Sequence, residues 1–278
     1  GETDPDDAPE APEVAVSKLG EVYVLGQHLL LCGDSTRRED VSKVVGDGTV
    51  DCWLTDPPYN VAYEGSNGLT IQNDSMEDTK FREFLRNAFG CAEKAMKPGA
   101  AFYVFHADSE GYNFRGACFD VGLRVRECLV WKKNALVLGR QDYQWIHEPC
   151  LYGWKDGASH NWYGDRAQTT VMEFNKPKKN DVHPTMKPTE MLVYLLKNST
   201  KRGDVVLDTF GGSGSTIIAC QQAGRVCRCV ELDPKYCDVI RRRWAEHVHG
   251  EGCDWQTLTP CRECANAAGQ VEDTVADS

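Results

Sequence analysis

The sequence lacks two features that would direct the chain to a membrane. No apolar run approaches the roughly 20 residues that a membrane-spanning helix needs. The start is not that of a secretory signal either, because residues 1–17 hold six acids and three prolines but no Lys or Arg. We therefore expect a cytoplasmic protein with no membrane partner.

Cysteine is abundant, with 13 residues, but the small size and secretory start that accompany a disulfide framework are missing. Most of the cysteines stand in apolar patterns, which is typical of small buried hydrophobic residues. The exception is Cys253 with Cys261 and Cys264, where a single C-x-x-C without a well-spaced second pair is a weak zinc pattern. We expect no metal site and no catalytic cysteine.

An excess of basic charge is also missing, since the net charge is −11. The acids are concentrated at the ends: residues 1–17 hold six and residues 263–278 hold four, without a Lys or Arg in either segment. The remainder has 32 acids against 31 bases, and residues 124–202 hold 14 Lys and Arg against 8 Asp and Glu. Phosphate contacts require local rather than net positive charge, so a nucleic-acid partner stays open.

Composition divides the chain into three parts. Residues 1–17 are acidic and poor in large apolar side chains, which predicts a disordered linker. Residues 257–278 have no strong periodicity and predict a flexible acidic tail, which leaves residues 18–256 as one domain. Because the chain starts without Met and inside a linker, we expect a further domain upstream.

Patterns typical of strands and of helices alternate across the domain. Residues 22–25 and 28–32 predict a hairpin that turns at Gly26. Residues 124–131 and 148–154 predict an antiparallel pair. Buried strands separated by helices predict an α/β fold with a mostly parallel sheet that is covered on both faces.

A glycine-rich turn joins a predicted strand at 205–208 to a predicted helix at 215–223. Such a turn lets backbone amides approach a ligand beside a helix N-terminus. The dinucleotide pattern G-x-G-x-x-G fails here, because its third glycine position is Ile217. Two carboxylates at predicted strand ends suit a nucleoside, Glu231 for a ribose and Asp34 for an adenine amine.

These features together predict a nucleoside site. Its candidate residues are Asp34, Asp208, Phe210, Gly212, Gly214, Ser215, Thr216, Glu231 and Asp233. A glycine turn alone would serve equally as a structural tight turn. Asp34 and Asp233 also have an alternative role as caps of the segments that follow them.

The tetrad Asp56, Pro57, Pro58 and Tyr59 follows a buried strand at 50–54. Two adjacent prolines fix two φ angles and remove two backbone donors. Their carbonyls remain as acceptors beside the Asp56 carboxylate, and Tyr59 offers a ring on which one base can stack. The pattern predicts a site for an exocyclic amine, and the alternative is a rigid turn that ends the strand.

The tetrad and the glycine turn together resemble the amino-methyltransferases of DNA. Their catalytic signature is (D/N/S)-P-P-(Y/F/W), and their cofactor motif F-x-G-x-G is matched by Phe210, Gly212 and Gly214. Residues 183–188 (HPTMKP) resemble a block that precedes this motif in many members, which assigns Lys187 to the cofactor site. The catalytic loop comes before the cofactor loop, which is the order of the β class, and the resemblance spans residues 20–250.

The resemblance implies a Rossmann-like, seven-stranded, mostly parallel sheet, with S-adenosylmethionine as cofactor and DNA as partner. It implies that Asp56 and the Pro57 carbonyl accept the amine protons of a flipped-out base while Tyr59 stacks on it. Asp before Pro-Pro favours N6 of adenine, and N4 of cytosine stays open. So does a catalytically idle DNA-binding or cofactor-sensing module, which the intact Asp56, Tyr59 and Glu231 disfavour. Protein-glutamine and RNA methyltransferases have the reverse order of motifs.

The resemblance also places target recognition in residues 153–183, where aromatic and basic side chains interleave. The candidate DNA contacts are Asn60, Lys132, Lys155, Arg166, Lys176, Lys178 and Lys179. An ordinary solvated loop is the alternative. The acidic lead-in resembles that of phage and prophage members with a ParB-like domain upstream, which implies a bacterial or phage-infected cell. A homodimer is left open.

Overall fold

Strands and helices alternate along the part of the chain that the computed structural model describes, which is residues 4–60, 76–138, 140, 142–175 and 186–267. The strands are β1 (Val22–Leu25), β2 (His28–Cys32), β3 (Val50–Thr55), β4 (Met96–Phe105), β5 (Arg124–Val137), β6 (Trp145–Trp154), β7 (Val171–Glu173), β8 (Val205–Asp208) and β9 (Val226–Glu231). The helices are α1 (Arg38–Val41), α2 (Asp78–Ala95), α3 (Gly111–Asp120), α4 (Thr189–Ser199), α5 (Ser215–Ala223), α6 (Pro234–His249), α7 (Trp255–Leu258) and α8 (Arg262–Ala267). Across these described ranges, no helix is both long and apolar enough to cross a membrane.

Within the described residues, nine strands form one sheet in the order β1-β2-β9-β8-β3-β4-β6-β5-β7. The neighbours from β2 to β4 pair in parallel, whereas β6 is antiparallel to both β4 and β5. This confirms the predicted α/β fold with a mostly parallel sheet and one long antiparallel pair. The sheet has two strands more than the seven expected, because β1 and β7 are added as its outermost strands. β7 has only three residues, which is too short for an alternation pattern to reveal.

The sheet is covered on both faces because successive residues of a strand point to opposite sides. In β3, Trp53 packs edge-on against Phe89 of α2, with ring centroids 4.9 Å apart. Its neighbours Cys52 and Leu54 belong to the buried cluster on the other face, which includes residues of α4, α5 and α6. Burial raises the pKa of the Cys52 thiol, so this cysteine is a neutral core residue.

Five parallel strands end at one edge of the sheet, which we call the carboxyl edge; the opposite edge is the amino edge. The last residues of these strands are Cys32, Glu231, Asp208, Thr55 and Phe105. The register keeps neighbouring ends level, as in the pairing of Cys32 with Glu231. The loops that follow therefore meet at the carboxyl edge, where ligands bind in sheets of this type.

The acidic lead-in, for which composition predicted a disordered linker, is hydrogen-bonded to the domain near residue 6 and near residue 16. The Asp6 carboxylate accepts a hydrogen bond from the backbone N–H of Thr189, at the first turn of α4 (2.8 Å). The backbone N–H of Val16 donates to the Asp238 carboxylate of α6 (2.6 Å). Both partners lie far away along the sequence, so local composition carried no sign of them.

Part of the predicted flexible tail is helical, because α7 and α8 continue the ordered structure as far as Ala267. Cys261 forms an antiparallel bridge with Tyr23 of β1, and its sulfur lies 3.0 Å from that of Cys264. Among the described residues, no group of three or more His, Cys, Asp or Glu side chains could hold a metal ion. Residues 268–278 of the predicted tail lie outside the described residues.

Candidate active site

The loop of residues 56–60 (DPPYN) begins where β3 ends, so its side chains emerge at the carboxyl edge. Its last residue, Asn60, has a φ of 58°, a left-handed conformation that Asn tolerates better than most residues. The Asn60 side chain donates to the carbonyl of Met76 (3.0 Å) and accepts from the Met76 N–H. The loop is thereby tied at one end to β3 and at the other to the chain that enters α2.

Four polar side chains converge on this loop and form what we call the charge cluster: Asp56, Tyr59, Glu148 and Lys187. The Lys187 ammonium lies 2.6 Å from Oδ2 of Asp56, 2.7 Å from Oε1 of Glu148 and 3.0 Å from the Tyr59 hydroxyl. The hydroxyl also contacts the carboxylates of Asp56 and Glu148. On the other side of Glu148, the Lys133 ammonium lies 2.9 Å from Oε2. Two carboxylates and two ammonium groups therefore balance.

Lys187 and Glu148 stay ionised although they are buried, and the Lys187 side chain is only 4% exposed. Burial would lower the pKa of Lys187, but Asp56 and Glu148 outweigh it and hold the pKa above its usual value. Burial would likewise raise the pKa of Glu148, but Lys187 and Lys133 bring it down to about 2. For Asp56 the effect of burial is the larger one, and the pKa is raised despite Lys187.

Glu148 was missed by the sequence reasoning, whereas Lys187 was among the residues predicted for the cofactor site. Lys187 was expected to serve the cofactor loop, yet its ammonium is bonded to the Asp56 loop. Glu148 carries one signal that could have revealed it: it is a lone acid next to the apolar residues of β6. An acid in such a position is rarely left without a buried partner.

One cavity of about 250 Å³ connects the Asp56 loop with the glycine turn. Almost every predicted catalytic and cofactor residue lines it: Asp34, Asp56, Pro57, Pro58, Tyr59, Lys187, Asp208, Phe210, Gly212, Ser215, Thr216, Glu231 and Asp233. Apolar side chains that sequence reasoning did not select complete the wall, among them Phe84, Phe105 and Leu192. The structure thus brings the two predicted halves of the site together in one space.

Gly214 is the predicted cofactor residue that does not line the cavity, and its role is conformational. It has a φ of 87° at the start of α5, and a Cβ at this position would lie 3.1 Å from Ile240. Gly212 has a φ of 52°, and a Cβ there would meet nothing within 4 Å. The turn therefore needs glycine at Gly214 for backbone shape and packing, while Gly212 leaves its surroundings open to a ligand.

Two carboxylates flank the glycine turn, of which Asp208 is buried and Glu231 half-buried. Asp208 accepts from the Thr55 hydroxyl (2.9 Å) and from the Phe210 N–H (3.0 Å). Glu231 accepts from the N–H of Gly212 (2.7 Å) and from that of Asp233 (2.9 Å). Burial raises the pKa of Asp208 to about 7 and that of Glu231 to about 7, so both carboxyls titrate near neutral pH.

The capping alternative is realised for Asp233, whereas Asp34 closes a turn before α1, whose N-cap is Arg37. Asp233 caps α6 by accepting from the Lys235 N–H (2.8 Å), and Asp34 accepts from the N–H of Thr36 (2.8 Å) and from its hydroxyl (2.7 Å). Both residues nevertheless line the cavity. A cap role and a place in the site are therefore compatible here.

A sequence model of the N6/N4 DNA methylase family matches residues 50–242, which is well over half of the chain. The chain belongs to this DNA methylase family. The match contains both the Asp56 loop and the glycine turn, which are the two parts of the chain that the cavity connects.

Two known proteins align with most of the length of this methylase. It is 30% identical to YubD of Escherichia coli (strain K12) over 187 residues, which is 67% of this chain and 78% of YubD. It is 22% identical to the type II methyltransferase M.HpaI of Haemophilus parainfluenzae over 243 residues, which is 80% of this chain and 75% of M.HpaI.

Solved structures confirm the fold. TTHA0409 of Thermus thermophilus, solved in complex with S-adenosyl-L-methionine, superposes with a TM-score of 0.61 at 20% identity and covers 80% of this chain and 95% of its own. The cytosine-N4-specific PvuII DNA methyltransferase superposes with a TM-score of 0.66 at 16% identity, covering 87% of this chain and 94% of its own.

The predicted DNA contacts of the methylase are scattered. Asn60 and Lys132 lie at the carboxyl edge, where Lys132 pairs with Glu173 (2.8 Å). Lys155 follows the far end of β6 and pairs with Glu93 (2.9 Å). Its backbone N–H donates to Ala100, five residues before the end of β4. Five residues of strand span about 17 Å, so Lys155 lies at the amino edge, and its contact with DNA stays a prediction.

The first half of the predicted recognition region, which starts at residue 153, also lies at the amino edge, because β6 ends there. The N–H of Tyr163 donates to Asn198, at the C-terminal end of α4 (2.7 Å), and the exposed Arg166 follows shortly after. The chain turns back toward the carboxyl edge only with β7. Lys176, Lys178 and Lys179 lie outside the described residues.

We expect Glu148→Gln to slow methyl transfer about 10- to 100-fold, because Lys187 and Tyr59 lose a charged partner worth roughly 1.5–3 kcal/mol. Cofactor affinity should stay within twofold of the parent, because Glu148 does not line the cavity. Single-turnover transfer of labelled methyl groups and equilibrium dialysis of the cofactor measure the two effects.

The matched control is Glu127→Gln, an exposed acid of β5, which should leave both quantities unchanged. Parent-level transfer by the Glu148→Gln enzyme would show that Lys187 alone positions Asp56. A parallel loss of cofactor binding would point to general damage of the fold.

Proposed function

We propose that the methylase transfers a methyl group from S-adenosylmethionine to N6 of adenine in DNA. The observation that carries the proposal is the Asp56 carboxylate, which lines the same cavity as Glu231 and the glycine turn. A carboxylate acceptor beside the Pro57 carbonyl suits an exocyclic amine, and Asp rather than Ser before Pro-Pro supports adenine as the base.

S-adenosylmethionine is the cofactor of this methylase, and the residues of the site fit it. Glu231 offers carboxylate oxygens to the two ribose hydroxyls, and the open space beside Gly212 lets the backbone approach a ligand. Phe84 and Phe210 form an apolar wall, with ring centroids 5.8 Å apart. When bound, the cofactor supplies the electrophilic methyl group of its sulfonium.

The residues of the Asp56 loop position the nitrogen of the target base. Asp56 and the Pro57 carbonyl accept the two amine protons, which directs the nitrogen lone pair toward the cofactor side of the cavity. Placement of this kind contributes effective molarities of about 10⁵–10⁸ M. The Asp56 carboxylate, whose pKa burial raises, is hydrogen-bonded to the amine in this arrangement and is therefore placed to take the proton that the nitrogen loses.

The Lys187 and Glu148 side chains act on Asp56 rather than on the base. Lys187 holds Oδ2 at 2.6 Å, which fixes the rotation of the carboxylate and leaves Oδ1 facing Tyr59. Because Oδ1 is shared with the Tyr59 hydroxyl, an incoming amine replaces that hydroxyl as the donor. The ring of Tyr59 is then available to stack on the base, worth about 1–3 kcal/mol.

The second candidate function is methylation of cytosine at N4. The observation that favours it is the fold likeness to the cytosine-N4-specific PvuII enzyme. Cytosine presents the same arrangement of an amine beside a ring nitrogen, so the charge cluster would position it in the same way. The two products are distinguished by the masses of the methylated nucleosides, because the geometry around the amine is the same for both bases.

The test is incubation with unmethylated DNA and methyl-labelled S-adenosylmethionine, followed by nucleoside mass spectrometry and methylation-aware sequencing. We expect N6-methyladenine at a defined short sequence, with none from an Asp56→Ala enzyme prepared in parallel. N4-methylcytosine as the sole product would overturn the choice of adenine. If folded protein that binds the cofactor yields no methylated nucleoside, the idle cofactor-sensing module replaces the enzyme.

A further inference from the structure

Strands β5 and β6 continue past the carboxyl edge as a two-stranded ribbon. β4 ends at Phe105, which pairs with Cys150 of β6, whereas β6 begins five residues earlier, at Trp145, and pairs there with Val137. Five residues of strand correspond to about 17 Å. We call the described residues of this stretch, 132–138, 140 and 142–147, the projecting ribbon; its tip is formed by Leu138 and Tyr143. Its base is Glu148 of the charge cluster, so the ribbon rises directly beside the place where the target base is methylated.

Large apolar side chains crowd the outer part of the projecting ribbon and are exposed. They are Leu136, Leu138, Tyr143, Trp145 and Ile146. Tyr143 is 92% exposed and Leu138 is 83% exposed. A lone two-stranded ribbon is marginally stable in water, and a cluster of exposed apolar side chains marks a surface that contacts a partner.

The charge of the ribbon and its position indicate which partner this is. Between positions 132 and 147 the sequence has one acidic residue, Asp142, and three basic residues, which are Lys132, Lys133 and Arg140. Lys133 reaches down to Glu148 (2.9 Å), so the base of the ribbon is joined to the charge cluster, and Arg140 lies farther out along the ribbon. A partner that meets this surface and the cavity together is polyanionic, carries flat apolar groups and presents a base to Asp56. Duplex DNA has all three properties.

We propose that the tip of the projecting ribbon enters the DNA duplex at the target base pair and fills the space that the flipped-out base leaves. Extruding a base costs a few kcal/mol of stacking and pairing. Apolar side chains that insert between base steps offset this cost in other DNA-binding proteins. Tyr143 and Leu138 supply a ring and a branched aliphatic group at the required place. The proposal rests on DNA as the substrate and is independent of which base receives the methyl group.

The experiment compares the Leu138→Ala/Tyr143→Ala double variant with the parent enzyme on two duplexes that carry the identified methylation site. In the first duplex the target base is paired, and in the second it stands opposite an abasic site, which removes most of the cost of extrusion. We expect kcat/KM of the variant to fall about 10- to 100-fold on the paired duplex, from the 1–3 kcal/mol per stacked base. On the abasic duplex it should stay within about threefold of the parent.

The matched control is Phe119→Ala. Phe119 is 82% exposed but stands at the end of α3, just before β5 starts at the amino edge, and its loss should change neither rate. Equal losses on both duplexes would overturn the proposal, since the ribbon would then act in general DNA binding. So would a change of sedimentation coefficient in the double variant, which would make the tip a contact between two copies of the chain. If the parent methylates cytosine, the same duplexes are built around cytosine. A wrong choice of adenine is thereby distinguished from a wrong proposal about the ribbon.

Discussion

Replacing Asp56 by alanine is expected to reduce methyl transfer at least about a thousandfold and to leave cofactor affinity within about twofold of the parent. The carboxylate is the acceptor that orients the target amine, and catalysis by positioning loses most of its effect when an acceptor is removed. Lys187 keeps Glu148 as a partner at 2.7 Å, so the buried ammonium is not left without a counter-charge and the fold should persist. Single-turnover transfer and calorimetric titration of S-adenosylmethionine measure the two quantities.

Asp56→Asn provides the matched control for this prediction. The amide has the same shape and one carbonyl acceptor, and Asn occurs at this position of the signature, so we expect intermediate activity. The order of rates should therefore be parent, Asn variant, Ala variant. Full activity of Asp56→Ala would refute the positioning role, and a loss of cofactor affinity that parallels the loss of activity would place Asp56 in cofactor binding instead.

Replacing Glu231 by alanine is expected to weaken S-adenosylmethionine binding about 10- to 100-fold, because hydrogen bonds to a charged acceptor are worth roughly 1.5–3 kcal/mol. The carboxylate also accepts from the Gly212 and Asp233 N–H groups, so its loss loosens the glycine turn itself. Calorimetry measures the affinity. Glu83→Gln, an exposed acid of α2, serves as the control, and unchanged affinity in Glu231→Ala would remove the ribose role.

The same carboxyl should make cofactor binding depend on pH. Burial raises the pKa of Glu231 to about 7, and the ionised form is the one that accepts from ribose hydroxyls and attracts the sulfonium. As pH falls through 7 the carboxyl becomes protonated, so parent affinity should weaken from pH 8 to pH 6. Glu231→Gln should flatten this slope. Any slope that remains belongs to other groups, of which Asp208, with a pKa also near 7, is the first candidate.

The parts of the site that follow strand ends could be predicted from local sequence. Asp56, Asp208 and Glu231 each stand at or just after the last residue of a buried strand. Parallel strands bring their carboxyl ends to one edge, so a motif at each end is enough to predict that they meet. All three now line one cavity.

Glu148 and Lys187 could not be found in the same way. They are 39 residues apart in the sequence and contact each other only because β6 runs antiparallel to β4 and delivers Glu148 to the carboxyl edge. The antiparallel direction also explains the position of Lys155. Because β6 begins at the carboxyl edge, it ends at the amino edge, and the residues after Trp154 therefore lie far from the Asp56 loop.

The sequence by itself determined the class of fold and led to the chemistry that we propose for the Asp56 loop. The reason is that motifs such as D-P-P-Y and F-x-G-x-G are short, and their backbone constraints act between neighbouring residues. Only the tertiary structure decided which charges surround Asp56, that the acidic lead-in lies on α4 and α6, and that a ribbon projects past the sheet beside the site. Each of these depends on contacts between residues far apart in the chain. Such contacts form only when the register and direction of the strands are set by packing of the whole sheet.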